Sequence, residues 1–214
     1  MRDYNEEYFF VKREQNSRIP KLMLDDQDEH YSLKLLFPRP LEKTTAYHLK
    51  FDHPPRKPVM ADFHLLSTPV PVITEKLKEV FASLELNYIQ LIPVLIRDKS
   101  DDIIEGYHLL KIFNPIECVD KEKSEYQTMR SGEIRNFNKL VLDNERLDQI
   151  PLKDRLILNV GECDTNVIYH ISVVEKILAT APTGLTVYRL SKWDSGAPFR
   201  EAYVSYLKGE EEEE

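Results

Sequence analysis

The sequence predicts an α+β protein built on a mixed or antiparallel sheet, with two principal helices and a β-rich N-terminal portion. Short aromatic and β-branched runs crowd residues 8–51, two amphipathic stretches further on have helical spacing, and each of these is followed by an apolar run of strand length. The chain has 214 residues, 42% of them hydrophobic and 31% charged. That balance suits one folded domain with a sizeable core.

In chain order, residues 8–11, 22–24, 33–37 and 47–51 read as strands, and residues 25–29 as a polar connection. The proline-studded stretch 38–58 marks a boundary between subregions, because proline cannot donate to a central ladder. Ile73, Leu77, Val80, Phe81 and Leu84 then fall at helical spacing, with Glu75, Lys76, Lys78 and Glu79 on the other face, which predicts a helix over residues 72–84. Residues 89–96 read as a strand buried on both sides, and residues 107–113 as another beyond an acidic turn at 98–105.

Residues 122–135 are polar and contain Gly132, which fits an exposed hairpin or loop. Ser172 and Glu175 form a capping-box pattern ahead of Val173, Val174, Ile177 and Leu178, and Pro182-Thr183-Gly184 ends that second helix before a strand at 185–190. Residues 73–96 and 171–190 thus share an order of elements, so an internal repeat and chance similarity both stand as readings. The expected organisation is one domain over residues 1–208, divided into a β-rich subregion at 1–58 and a second region at 59–208. An acidic, disordered tail follows at 209–214. Tyr203 and Tyr206 are placed in a last strand or docking helix.

The net charge is −8, which argues against nucleic acid as a partner. Glu210, Glu211, Glu212, Glu213 and Glu214 account for five of those charges, leaving −3 on the rest. No apolar run approaches the roughly 20 residues of a spanning helix, and the acidic start is unlike a secretory signal, so a cytoplasmic protein is expected. Cys118 and Cys163 are too few for a disulfide framework and read as buried thiols.

No catalytic constellation can be assembled. The six glycines form neither a phosphate loop nor a nucleophile elbow, and no metal-ligand spacing recurs. His53, Asp62 and His64 could converge on a metal only if the fold brought them together, and Cys163 with His170 lacks a third orienting group. His48 and His108 read as solvent-facing. The least implausible enzyme site would combine Asp62, His64, Cys118 and Asp120, with Cys118 and Asp120 on one face of a short strand. No cofactor is expected. Two acidic clusters, Asp25, Asp26, Asp28 and Glu29, and Asp98, Asp101, Asp102 and Glu105, read either as solvated turns protecting strand edges or as surfaces that steer a basic partner.

Residues 62–126 carry a family resemblance. Its markers are Asp62-Phe63, the helix at 72–84 with the strand that follows, and above all residues 114–124, Asn-Pro-Ile-Glu-Cys-Val-Asp-Lys-Glu-Lys-Ser. This stretch, and less specifically residues 175–190, resembles a bacterial family of immunity proteins of polymorphic toxin systems, the group typified by a myxobacterial protein. The resemblance implies a protein that binds and neutralises a cognate protein toxin without catalysis, and it transfers no catalytic residue. The partner surface is expected among Asp98, Asp101, Asp102, Glu105, Glu122, Glu125, Tyr126 and Trp193. A homodimer or interaction scaffold stays open as an alternative, as does an enzyme with an unfamiliar site.

Overall fold

The computed structural model describes residues 2–42, 45–66 and 70–197. The acidic tail and the segment carrying Tyr203 and Tyr206 lie outside the described residues. The α+β class holds, and the elements run in this order: β1 (Tyr8–Arg13), β2 (Lys21–Leu24), α1 (Ser32–Leu36), β3 (Tyr47–Asp52), β4 (Phe63–Leu65), β5 (Pro71–Thr74), α2 (Glu75–Ala82), β6 (Ile89–Arg97), β7 (Ile103–Ile112), β8 (Pro115–Ile116), β9 (Glu125–Thr128), β10 (Ile134–Lys139), α3 (Asn144–Asp148), β11 (Ile157–Val160), β12 (Val167–His170), α4 (Ile171–Ala179) and β13 (Leu185–Arg189). None of the described helices is long and apolar enough to cross a membrane.

The strands form three sheets, ordered β2-β3-β6-β7-β5-β4, β13-β1-β12-β11-β8 and β10-β9. A parallel bridge between Leu22 and Leu66 brings the two edges of the six-stranded sheet together, so it curls back on itself. Side-chain alternation then sorts its residues. Leu22, Leu49, Val72, Val94, Ile96 and Leu109 fill the enclosed side, while Ile73, Leu110 and Ile112 point outward to the helices.

Two units repeat the same topology. β5 and β6, joined by α2, both pair antiparallel with β7, which lies between them. β12 and β13, joined by α4, both pair antiparallel with β1. The internal order noticed in the sequence is therefore a shared strand-helix-strand arrangement around a central strand. The two helices meet in one core, where Leu77 and Phe81 pack with Val173, Val174 and Ile177.

Several expectations are corrected. Val72 and Ile73 belong to β5, and the helix starts only at Glu75, with Thr74 as N-cap. The apolar stripe runs unbroken through this strand-to-helix junction, so spacing alone misplaces the boundary. Residues 33–37 are mostly helical, with Leu35 buried and Leu33 and Phe37 exposed. β6 is covered on one face more than the other, since Pro93 and Arg97 are exposed. Its proline sits one residue before the pairing with β3 begins at Val94. The cap of α4 is His170, whose ring accepts a hydrogen bond from the Ser172 amide, so Ser172 lies inside the helix.

Three junctions tie the elements together, the first of them between two sheets. Asp62, just ahead of β4, accepts hydrogen bonds from the Thr183 amide (2.9 Å), Thr183 Oγ1 (3.0 Å), Thr74 Oγ1 (3.0 Å) and Lys76 Nζ (2.8 Å). Gly184 beside it has φ +84°, and a Cβ there would lie 2.5 Å from both Ala61 Cβ and the Phe63 carbonyl oxygen. Buried Arg155 donates to the Tyr8 and Tyr4 hydroxyls at 3.1 and 2.9 Å and to the Ile150 carbonyl at 2.8 Å. Buried Lys111 donates to the carbonyls of Leu35 and Phe37 at 2.6 and 2.5 Å, tying β7 to the end of α1.

Candidate functional site

The two acidic clusters, separate in sequence, meet at one end of the six-stranded sheet. Asp25 begins a 3-10 turn over Asp26–Tyr31 by accepting from the Asp26 amide. Its carboxylate also pairs with Arg97 Nη2 at 2.8 Å, and Arg97 reaches Asp101 at 4.0 Å. Lys50 pairs with Asp26. Asp28 is buried and accepts from the amide and ring of His48 at 2.7 and 3.0 Å. The reading of this cluster as a wholly solvated turn therefore fails for Asp25 and Asp28, which are structural.

Across from them, Asp98 closes the β6–β7 turn by accepting from the amides of Ser100 (2.7 Å) and Asp102 (3.0 Å). Asp101 holds φ +65° there. The turn is shorter than expected, because β7 begins at Ile103 and Glu105 is an exposed strand residue. Exposed carboxylates of Asp26, Glu29, Asp101 and Asp102 thus share one end of the molecule, with Lys50 and Arg97 set among them. Neither cation was singled out from sequence, although Arg97 ends the strand that leads to the acidic run at 98–102.

Glu122, Glu125 and Tyr126 lie elsewhere, Glu122 just ahead of the two-stranded hairpin and Glu125 and Tyr126 in its first strand. Asp120 shapes that segment by accepting from the amides of Glu122 and Lys123, each at 3.2 Å, and from Lys123 Nζ at 2.7 Å. Lys123 holds the Asp120 carboxyl below its ordinary range. Glu125 is exposed, whereas Tyr126 is half-buried with its ring edge-on to Phe137. Between 117–123 and 142–146 runs a mixed-charge cleft of about 450 Å³, whose lining includes Glu117, Asp120, Lys123, Asp143, Glu145 and Arg146. Trp193 is buried, its ring centroid 4.6 Å from that of Phe10, in the core that also holds Phe137. It is a packing residue, and its ring faces inward.

The residues of the enzyme reading are not brought together. Asp62 is engaged by Thr183, Thr74 and Lys76, and these contacts outweigh burial to hold its carboxyl below the ordinary range. His64 is fully buried; its Nε2 accepts from the Ala61 amide at 3.1 Å, and burial lowers its pKa. Cys118 lies in the core outside the five-stranded sheet, where burial raises its thiol well above the ordinary range and keeps it protonated. It stands outside any strand, so it shares no strand face with Asp120.

His53 is exposed and pairs with neighbouring Asp52, away from His64. His108, expected at the surface, is buried and lies 3.5 Å from Glu75. His170 caps α4 and faces Glu7 at 3.3 Å, while Cys163 contacts Asn166 and Thr165. Among the described residues no group of three or more His, Cys, Asp or Glu could hold a metal ion.

A family model described as an immunity protein family (Imm11) matches residues 5–149. The match takes in the N-terminal strands as well as residues 62–126, and it ends just after α3. Residues 157–189, beyond it, supply three of the five strands of the sheet that contains β1. No curated protein matches the chain.

Proposed function

Because the chain belongs to the immunity protein family Imm11, we propose that it acts by binding a cognate protein toxin and neutralising it without catalysis, in the cytoplasm of a bacterium exposed to that toxin. The family match carries the reading. Two features of the site support it: the residues of the enzyme reading are dispersed, and the two acidic clusters converge on one exposed end. The surface proposed for the toxin is that end, with Asp98, Asp101, Asp102 and Glu105 on the β6–β7 hairpin and Asp26 and Glu29 beside it. Clustered carboxylates of this kind favour fast association with a cationic partner.

Glu122, Glu125 and Tyr126 form a separate candidate contact on the hairpin side. A homodimer is compatible with this reading, and light scattering on the purified chain decides it. Co-expression with the product of the adjacent open reading frame tests the function itself. The expected result is rescue of growth together with coelution of the two proteins. A folded chain that neither protects nor binds a growth-arresting neighbour would remove the reading.

A further inference from the structure

Beside α1 lies a pocket of about 270 Å³ walled by three aromatic rings, those of Tyr31, Phe37 and Tyr47, with Lys34 and Arg39 among its other lining residues. Tyr31 and Tyr47 meet edge-on at 5.2 Å and 83°, which makes an aromatic corner. Lys34 Nζ stands 5.5 Å from the Tyr31 ring centroid. Phe37 is 56% exposed, although it ends a helix whose Leu35 is buried. Its backbone is anchored all the same. Buried Lys111 holds the Leu35 and Phe37 carbonyls, and the Arg39 amide donates to the Phe37 carbonyl at 2.8 Å. Gln90 Oε1 accepts from the Leu41 amide at 2.7 Å while its Nε2 donates to the Leu41 carbonyl at 3.1 Å. Pro38 and Pro40 fix φ between these anchors.

Lys34 and Arg39 form no ion pair with any described residue, in contrast to Lys50, Lys76, Arg97, Lys123 and Arg146. Glu42 is the carboxylate among the described lining residues, and it pairs with neither. Asp28, whose charge reaches Tyr47, is engaged by the amide and ring of His48.

We propose that this pocket binds a small aromatic acid, one ring carrying a carboxylate or phosphate group. The ring sits against Phe37 and the Tyr31–Tyr47 corner, and the acid group turns to Lys34 and Arg39. Size selects a single ring, since drug-sized ligands occupy roughly 300–1,000 Å³ and this pocket falls just below that range. An exposed phenylalanine ring on an anchored segment gains by being covered, and little chain has to be ordered for the ligand to bind. A neutral ring would leave both cations without a partner, and an acid without a ring would leave the aromatic walls in water. A ligand with both parts satisfies each. The pocket stands or falls independently of toxin binding.

The test uses the full chain with its phenylalanines ring-fluorinated, the Phe37 signal being assigned by its loss in Phe37→Leu. Phenylacetate and phenyl phosphate are titrated at constant ionic strength beside acetate, which has the acid without the ring, and benzyl alcohol, which has the ring without the acid. The expected result is a saturable shift of the Phe37 signal with a dissociation constant of about 1 mM for at least one aromatic acid, and about tenfold weaker binding of acetate and benzyl alcohol. The tighter of the two aromatic acids identifies the acid group. Lys34→Met and Arg39→Met, both at exposed positions, should each weaken binding about threefold, as single screened ion contacts do, and about tenfold together. Saturation by neither aromatic acid, equal affinity for acetate or benzyl alcohol, or affinity unchanged in the double variant overturns the proposal. Binding of a tyrosine-containing acidic peptide without binding of either small acid overturns it too, since this face would then dock a protein segment.

Discussion

Replacing Gly184 by alanine should be among the most damaging single-methyl additions in this protein, and Gly132 provides an internal control. The added Cβ at Gly184 would stand 2.5 Å from Ala61 Cβ and from the Phe63 carbonyl oxygen. The turn cannot simply withdraw, because Phe63 N donates to Thr183 O at 3.1 Å and the Asp62 carboxylate grips Thr183. A left-handed backbone costs an L-residue about 1–2 kcal/mol, and forcing a methyl into filled space costs about 1–3 kcal/mol more. The sum is about 2–5 kcal/mol, or roughly 5–15 °C in Tm for a domain of this size. Gly132 has φ +89° with nothing within 4 Å of the added atom, so Gly132→Ala should cost only the backbone share. Urea denaturation of both variants gives the comparison, read from midpoints at unchanged m. Equal losses, within about 0.5 kcal/mol, would refute the claim that β4 and the turn before β13 are held in rigid contact.

Asp62→Asn should lower stability by about 1–2 kcal/mol at neutral pH. In the wild type the Asp62 carboxyl is held below its unfolded value, so its contribution is present above about pH 4 and fades as pH falls through the folded pKa; acid unfolding of the variant should lack that slope. Burial lowers Lys111 to about 8, so the folded state binds fewer protons than the unfolded state between about pH 8 and 10, and stability should rise with pH there. Lys12, lowered by burial to about 8, contributes to the same rise, and Lys111→Met should remove part of it, as urea midpoints measured across that window would reveal. Arg155→Met leaves the buried hydroxyls of Tyr4 and Tyr8 without their donor and should cost about 3 kcal/mol by thermal or chemical unfolding. Asp98→Asn with Asp101→Asn and Asp102→Asn keeps the turn's acceptors while removing charge. On the proposed function, this triple variant should slow association with the toxin and flatten its salt dependence in stopped-flow binding, and an unchanged rate would move the contact surface elsewhere.

Much of the fold is legible in the sequence because alternation and helical spacing are local properties. Residues 8–11, 22–24 and 47–51 declare strands, and Leu77 with Phe81 declares one face of a helix. The misreadings occur where local pattern is ambiguous: Ile73 continues a helical stripe by accident of spacing, and residues 33–37 form an apolar run short enough for either state. Legibility ends with long-range geometry. Nothing in the sequence announces that Leu22 meets Leu66, that Arg97 links Asp25 to Asp101, or that Phe10 covers Trp193. Each depends on strands far apart in the chain being placed side by side, which is why the acidic residues could be found singly and their common surface could not.

The position of β1 also sets a schedule. Its two neighbours in the sheet are β12 and β13, with Phe10 opposite Tyr188. During synthesis β1 leaves the ribosome about 150 residues before β12 and β13, the strands it pairs with. At about 5–20 residues per second that interval is roughly 10–35 s, during which Tyr8, Phe9, Phe10 and Val11 have neither backbone partners nor their final apolar cover. A half-made chain holds the family-matched residues without the sheet that encloses them. On the proposed function, protection therefore requires synthesis through β13, because a shorter product leaves β1 without both of its neighbours.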